Sequence, residues 1–230
     1  DIAMQMRIKM RGITPEEQII LPLQYNHLIQ GALYNNIDQS LADFLHNKGY
    51  IENDRQFKLF TFSRLMGPFK INHKEKTIMF LSDIELVVSS PIDEFCKSLG
   101  NTMLQKGEIR IGKHHLVIEE LQLIPAQTKS TDVLVRTLSP IVAYSTLLKP
   151  EGGKYTCYFM PKEPMFNSLI IENLKKKWKA FYGSQLPGEE LKIHLVGDYK
   201  QNIIMYNNTV IKGASGLFRI QGDCDAISFA

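Results

Sequence analysis

The chain has 230 residues, a net charge of +3, 44% hydrophobic and 22% charged residues. That is an ordinary globular composition for one large domain or two small ones, and its mildly basic balance permits an anionic partner without demanding one. No run of about 18 apolar residues is present, which excludes a membrane-spanning helix, and three widely spaced cysteines (Cys96, Cys157, Cys224) without a C-x-x-C argue against a disulfide framework or a zinc site.

Cysteine usage points to a reduced, cytoplasmic setting. The N-terminus lacks the apolar stretch of a signal peptide. Asp1-Ile2-Ala3 is expected to be a processing remnant, with the native start at Met4 or Met6. Met6 to Arg11 alternates, with Met6, Ile8 and Met10 on one face and Arg7, Lys9 and Arg11 on the other, so it reads as a half-buried strand. Tyr25 to Ile37 reads as a helix burying Leu28, Ile29, Ala32, Leu33 and Ile37. After the break at Asp38–Gln39, Ser40 is expected to cap a second helix, with Asp43 as the capping-box acid. His46 and Asn47 close that helix. Phe57 to Phe62 is predicted as a strand carrying Lys58, Phe60 and Phe62 on one face.

A hairpin is predicted from Phe69 to Leu81, an amphipathic helix from Pro91 to Leu104, and strands at Glu108–Ile111 and His115–Ile124. This strand and helix order is the split βαβ pattern of a ferredoxin-like domain. Pro125 to Ser130 reads as a connector, after which the pattern restarts. Strands are predicted at Val133–Leu138 and Lys154–Met160. A helix over Asn167–Tyr182 follows, with Lys175, Lys176, Lys177 and Lys179 largely outside. Short strands are expected at Leu191–Leu195, Ile203–Tyr206, Thr209–Lys212 and Leu217–Gln221, then the start of a last helix after Gly222. The fold class is therefore α+β: two tandem ferredoxin-like (RRM-like) domains, residues 1–127 and 128–230. The second is cut off before its final strand, so further residues are expected beyond Ala230.

Tyr34, His46 and Lys58 fall at three structural boundaries in the first domain. The short loop between His46 and Lys58 places them at one end of it. Tyr, His and Lys suit RNA cleavage without a metal or other cofactor. One group deprotonates a 2′-hydroxyl, another protonates the leaving 5′-oxygen, and a cation offsets transition-state charge. A helix C-terminus favours a charged imidazole, which leans His46 towards general acid and leaves Lys58 as the charge stabiliser. Tyr34 positions the 2′-hydroxyl or assists proton transfer. Arg7, Lys9 and Arg11 are candidate phosphate contacts. His27 is a candidate RNA contact or second proton carrier, unless it is a buried, hydrogen-bonded histidine. His114-His115 is not a metal pair, because neighbours in a strand point to opposite faces. Asp223-x-Asp225 lacks the further acids of a two-metal nuclease.

Four stretches carry a resemblance: Pro22-Leu-Gln-Tyr-Asn-His-Leu-Ile-Gln-Gly-Ala-Leu-Tyr-Asn-Asn-Ile, Phe44-Leu-His, Phe57-Lys-Leu-Phe-Thr-Phe-Ser and Thr137-Leu-Ser-Pro-Ile. In this order and spacing they resemble the CRISPR-associated repeat-RNA endoribonucleases of the repeat-associated mysterious protein (RAMP) superfamily. The resemblance implies two ferredoxin-like domains and cleavage of CRISPR transcripts within each repeat, leaving a 5′-hydroxyl and a 2′,3′-cyclic phosphate. It implies catalytic roles for Tyr34, His46 and Lys58. It also implies CRISPR repeat RNA as partner, with a homodimer and association with an effector complex left open. The family ends in a glycine-rich loop that cradles RNA backbone; Gly213-Ala-Ser-Gly216 lies too early and is too short to be that loop, which is expected beyond Ala230. The competing expectation is a non-catalytic RNA-binding subunit of an effector complex. Such relatives lack the histidine.

Overall fold

The structure, a computed structural model, describes residues 3–230. Asp1 and Ile2, read above as a processing remnant, lie outside the described residues. The chain folds as two compact units: the first takes the chain up to Tyr50 together with Gln56–Ala126, the second Ile51–Arg55 together with Gln127–Ala230.

The first part of the chain runs β1 (Met4–Gly12), β2 (Ile19–Pro22), α1 (Asn26–Tyr34), α2 (Gln39–Asn47), β3 (Tyr50–Glu52), β4 (Arg55–Phe57) and β5 (Thr61–Phe62). It continues through β6 (Phe69–Asn72), β7 (Thr77–Phe80), β8 (Ile84–Ser90), α3 (Asp93–Lys106), β9 (Glu108–Ile111) and β10 (His114–Pro125). Five of these strands form one antiparallel sheet in the order β5-β8-β1-β10-β9. Apart from β9, which hairpins onto one edge, this is the ferredoxin-like arrangement: β1 sits between β8 and β10, and β5 lies outside β8. Alternation in β1 buries Met6, Ile8 and Met10. Helix α3 packs on β1 and β8 through buried Phe95, Cys96, Leu99 and Met103. Gly107, in the left-handed region at φ 67°, ends it and turns the chain into β9. Strands β2, β7 and β6 make a separate three-stranded sheet.

In the second unit, β11 (Asp132–Arg136) is followed by the hairpin β12 (Ala143–Leu148) and β13 (Lys154–Phe159). Then come α4 (Pro164–Tyr182), β14 (Lys192–Tyr206), β15 (Thr209–Gln221) and α5 (Cys224–Phe229). The sheet order β11-β15-β14 is the first, third and second strand of the same topology. Its core gathers Phe166 of α4, Ile193 of β14, Phe218 of β15 and Ile227 of α5.

Several expectations need correction. The first helix stops at Tyr34, not Ile37. The strand expected over Phe57–Phe62 is two short pieces, because Leu59 takes φ 54° and interrupts the pairing. Strand β8 has no counterpart in the sequence reading. Its Ile84-Glu-Leu-Val-Val-Ser-Ser is buried on both faces and so does not alternate cleanly. The four short strands expected between Leu191 and Gln221 are two long ones, bent at a register shift between Val196 and Lys200 where Gly197 has φ 77°. Lys177 is not an outer-face lysine: it is partly buried, and desolvation pulls its ammonium below the usual range.

Gly31 sits inside α1, and a Cβ there would meet nothing within 4 Å. Gly31→Ala should therefore stabilise the protein by ~0.5–1 kcal/mol through helix propensity. Urea unfolding with an unchanged m-value would register this, and a loss of stability would contradict the open environment.

Candidate active site

Tyr34 is the last residue of α1. The chain then turns sharply. The Asn35 N–H donates to the Gly31 carbonyl at 3.0 Å and the Asn36 N–H to the Leu33 carbonyl at 3.1 Å. Asn36 is buried, and its side-chain amide donates to the Ala32 carbonyl at 2.7 Å. The Asp38 N–H donates to Ser98 Oγ of α3 at 2.6 Å, pinning the turn to the body of the unit. Asp38, not Ser40, is the N-cap of α2. Its carboxylate accepts the Ser40 N–H at 3.1 Å and also the Ser40 hydroxyl, which holds the carboxyl below the usual range. Asp43 does not serve as a capping-box acid; it accepts a hydrogen bond from Gln39 Nε2 at 2.9 Å.

The turn folds α2 back so that His46, in its last turn, meets Tyr34 edge to face, with ring centroids 6.1 Å apart and planes at 78°. The imidazole is exposed, and its Nδ1 lies 3.1 Å from Asn47 Oδ1. Lys58 lies in the irregular link between β4 and β5, and not within a strand as expected. Burial still alternates there: Phe57 and Leu59 are buried, while Lys58 and Phe60 are only partly so. The Leu59 carbonyl accepts a hydrogen bond from Ser90 Oγ at 2.6 Å, anchoring the link. Lys58 Nζ stands 5.6 Å from the centre of the Tyr34 ring, and the Phe60 ring packs on Tyr34 at 5.5 Å and 86°. Phe60 in turn stacks on Phe95 of α3 at 4.7 Å and 13°. The Tyr34 ring is thus the point where an imidazole, an ammonium and an aromatic support meet. The spacing argument did not identify Phe60 as that support, although it placed Phe60 on the face of Lys58.

The Tyr34 hydroxyl is turned inward. It is buried and has no hydrogen-bond partner of ordinary geometry. Burial raises its pKa, opposed in part by the side chain of Gln30 one turn earlier. A neutral, inward phenol is poorly suited to take a proton from a substrate.

The remaining candidates separate. Lys9 lies 3.8 Å from Asp83 and 3.7 Å from Glu119, and Arg11 Nε 3.0 Å from Glu119, so both cations face carboxylates. Arg7 is exposed on the same strand. His27 is exposed, not buried, and sits in the first turn of α1, about 10 Å of helical rise from Tyr34. It is therefore not grouped with His46. His114 and His115 diverge as expected: His114 is buried, with Nε2 2.8 Å from the Ile20 carbonyl, and His115 is exposed. Asp223 caps α5 by accepting the N–H groups of Asp225 and Ala226. Among the described residues, no three His, Cys, Asp or Glu side chains gather as metal ligands, and no helix is long and apolar enough to cross a membrane.

The fold is thus two ferredoxin-like units in tandem, the first bringing together Tyr34 and His46 from two helix ends and Lys58 from a link between strands. The family model described as "CRISPR associated protein Cas6, C-terminal" matches residues 121–230, and that described as "CRISPR-associated protein Cas6, N-terminal" matches residues 20–122. The CRISPR-associated endoribonuclease Cas6 of Pyrococcus furiosus is 30% identical over 80% of this chain and 68% of its own length. The CRISPR-associated endoribonuclease Cas6 1 of Methanocaldococcus jannaschii is 25% identical over 97% of this chain and 85% of its own. A solved structure described as a Cas6-related gene from Pyrococcus furiosus superposes with a TM-score of 0.82 at 20% identity, covering 99% of this chain and 90% of the other. The chain belongs to the Cas6 family of CRISPR-associated endoribonucleases.

Proposed function

We propose that the protein is a metal-independent endoribonuclease that cuts CRISPR precursor transcripts within each repeat, for antiviral defence. The observation that carries the residue assignment is the meeting of His46 and Lys58 at the Tyr34 ring. The 2′-hydroxyl gives its proton to water as the 2′-oxygen bonds to phosphorus. The P–O5′ bond breaks, and the 5′-oxygen takes its proton from His46. The products are a 2′,3′-cyclic phosphate and a 5′-hydroxyl. Lys58 offsets the charge of the pentavalent transition state, a task for a fixed cation close to the phosphorus. Tyr34 holds the other two in place with its ring. Arg7 contacts RNA backbone outside this group. A homodimer and docking to a CRISPR effector complex are the further partners of this reading, and sedimentation of the protein alone separates one copy from two.

A repeat RNA bearing a 2′-deoxy nucleotide at the scissile position should bind and resist cleavage, while the all-ribose RNA is cut. Cleavage of the deoxy substrate would rule out attack by the 2′-oxygen.

A further inference from the structure

A groove of about 440 Å³ opens in the first unit between α1 and the β9–β10 hairpin. Its polar rim carries His27, Lys106, Arg110 and His115. Four side chains able to donate hydrogen bonds thus converge from α1, the end of α3 and both strands of the hairpin. Glu108 is the carboxylate among the lining residues, and it lies 3.9 Å from Nδ1 of His115. Two amides, Asn35 and Asn36, form the end nearest the site, directly after Tyr34 in the chain. The Asn36 Oδ1 lies 3.5 Å from Lys106 Nζ, so the buried amide holds the ammonium at the rim. Leu28 and Ala32 supply an apolar wall, and the bare backbone of Gly31 faces the opening.

We infer that this groove is a second RNA site, which takes nucleotides flanking the scissile phosphate. The inference rests on the endoribonuclease reading and extends it. Positions 27, 31 and 35 share one stripe of α1 by their spacing of four. The groove therefore follows the helix from His27 to Asn35, about 12 Å of rise, and ends one residue from Tyr34. Asn35 thus joins the groove to the turn that follows Tyr34, whose ring meets His46 and Lys58. Arg110 and Lys106 meet phosphates, as cations in a concave site do. The amides and the Leu28–Ala32 wall suit the polar edge and flat face of an unpaired base. Neither Lys106 nor Arg110 stands out in the sequence, because they come from the two ends of a tight connection through Gly107.

The test uses the full chain and fluorescently labelled repeat RNA with a 2′-deoxy scissile nucleotide, read by anisotropy across a salt series. Lys106→Ala/Arg110→Ala is expected to bind at least tenfold more weakly, with a salt slope shallower by roughly 1.4, the value for two lost single-strand phosphate contacts. Gly31→Gln, which fills the groove mouth where a side chain meets no neighbour, is expected to weaken binding without lowering thermal stability. Glu108→Gln, which removes the carboxylate, is expected to bind at least twofold more tightly, an outcome that misfolding does not produce. Wild-type affinity and salt slope in the double variant and in Gly31→Gln would overturn the inference. Saturation of the groove by AMP, with RNA binding indifferent to all three variants, would also overturn it in favour of a mononucleotide pocket. If the wild-type chain itself fails to bind the RNA, the endoribonuclease reading falls first, so the two failures are distinct.

Discussion

His46→Ala is expected to lose cleavage of repeat RNA by about 10²–10⁴-fold, or ~2.7–5.5 kcal/mol of transition-state stabilisation, while RNA affinity stays close to wild type. Wild-type cleavage is expected to continue in excess EDTA. His46 is suited to this role because it is exposed at the end of α2, and its ring is steadied by Asn47 on one side and Tyr34 on the other. It is exposed and touches the body of the unit through the edge of Tyr34, so removing it should change thermal unfolding little. The assay is single-turnover cleavage with mapping of product ends. Full activity in the variant, or loss of wild-type activity in EDTA, would refute the proposed chemistry. A wild-type chain that binds repeat RNA and never cuts it would make the protein the non-catalytic subunit that is the rival to the enzyme.

Tyr34 separates a ring from a hydroxyl. Tyr34→Phe is expected to cleave within about threefold of wild type, under ~0.7 kcal/mol, because the hydroxyl is buried and turned away from solvent, with burial raising its pKa. Tyr34→Ala should lose on the order of 30-fold, about 2 kcal/mol, as the cation–π contact to Lys58 and the edge contacts to His46 and Phe60 disappear together. If Tyr34→Phe falls as far as Tyr34→Ala, the hydroxyl takes part in proton transfer and must turn outward to do so. A pH–rate profile adds a second check: Tyr34→Phe should leave its shape unchanged.

Much of the first unit was legible because burial there follows a simple period. Met6, Ile8 and Met10 announce β1, and Phe95, Cys96, Leu99 and Met103 announce α3. The tandem repetition of the ferredoxin-like pattern was legible too. What could not be read were departures from periodicity. Strand β8 is buried on both faces, so its sequence lacks the alternation that marks a half-buried strand. Leu59 adopts a left-handed backbone with no glycine or asparagine to signal it, so Lys58 was placed in a strand that is interrupted there. The residue types of the candidate site were plain from the chain, but the approach of Tyr34 to His46 depends on the turn at Asn35–Asp38. That turn is set by a buried asparagine and by a hydrogen bond from Asp38 to Ser98, 60 positions along. The basic groove was invisible for a related reason: its lining comes from α1, α3, β9 and β10, and no local spacing links them.

The position of β1 has a consequence for how the protein is made. This strand pairs along its length with β8 on one side and β10 on the other, and Met4 faces Pro125 in the register. The first sheet strand to leave the ribosome therefore waits for both neighbours. At about 5–20 residues per second, the interval before β10 is complete is roughly 6–24 s. Until β8 is made β1 has no partner, and for the rest of that time one of its edges stays unpaired and open to any chaperone within reach. Substitutions that slow elongation before Pro125 should lower the yield of folded protein without altering the stability of the molecules that do fold.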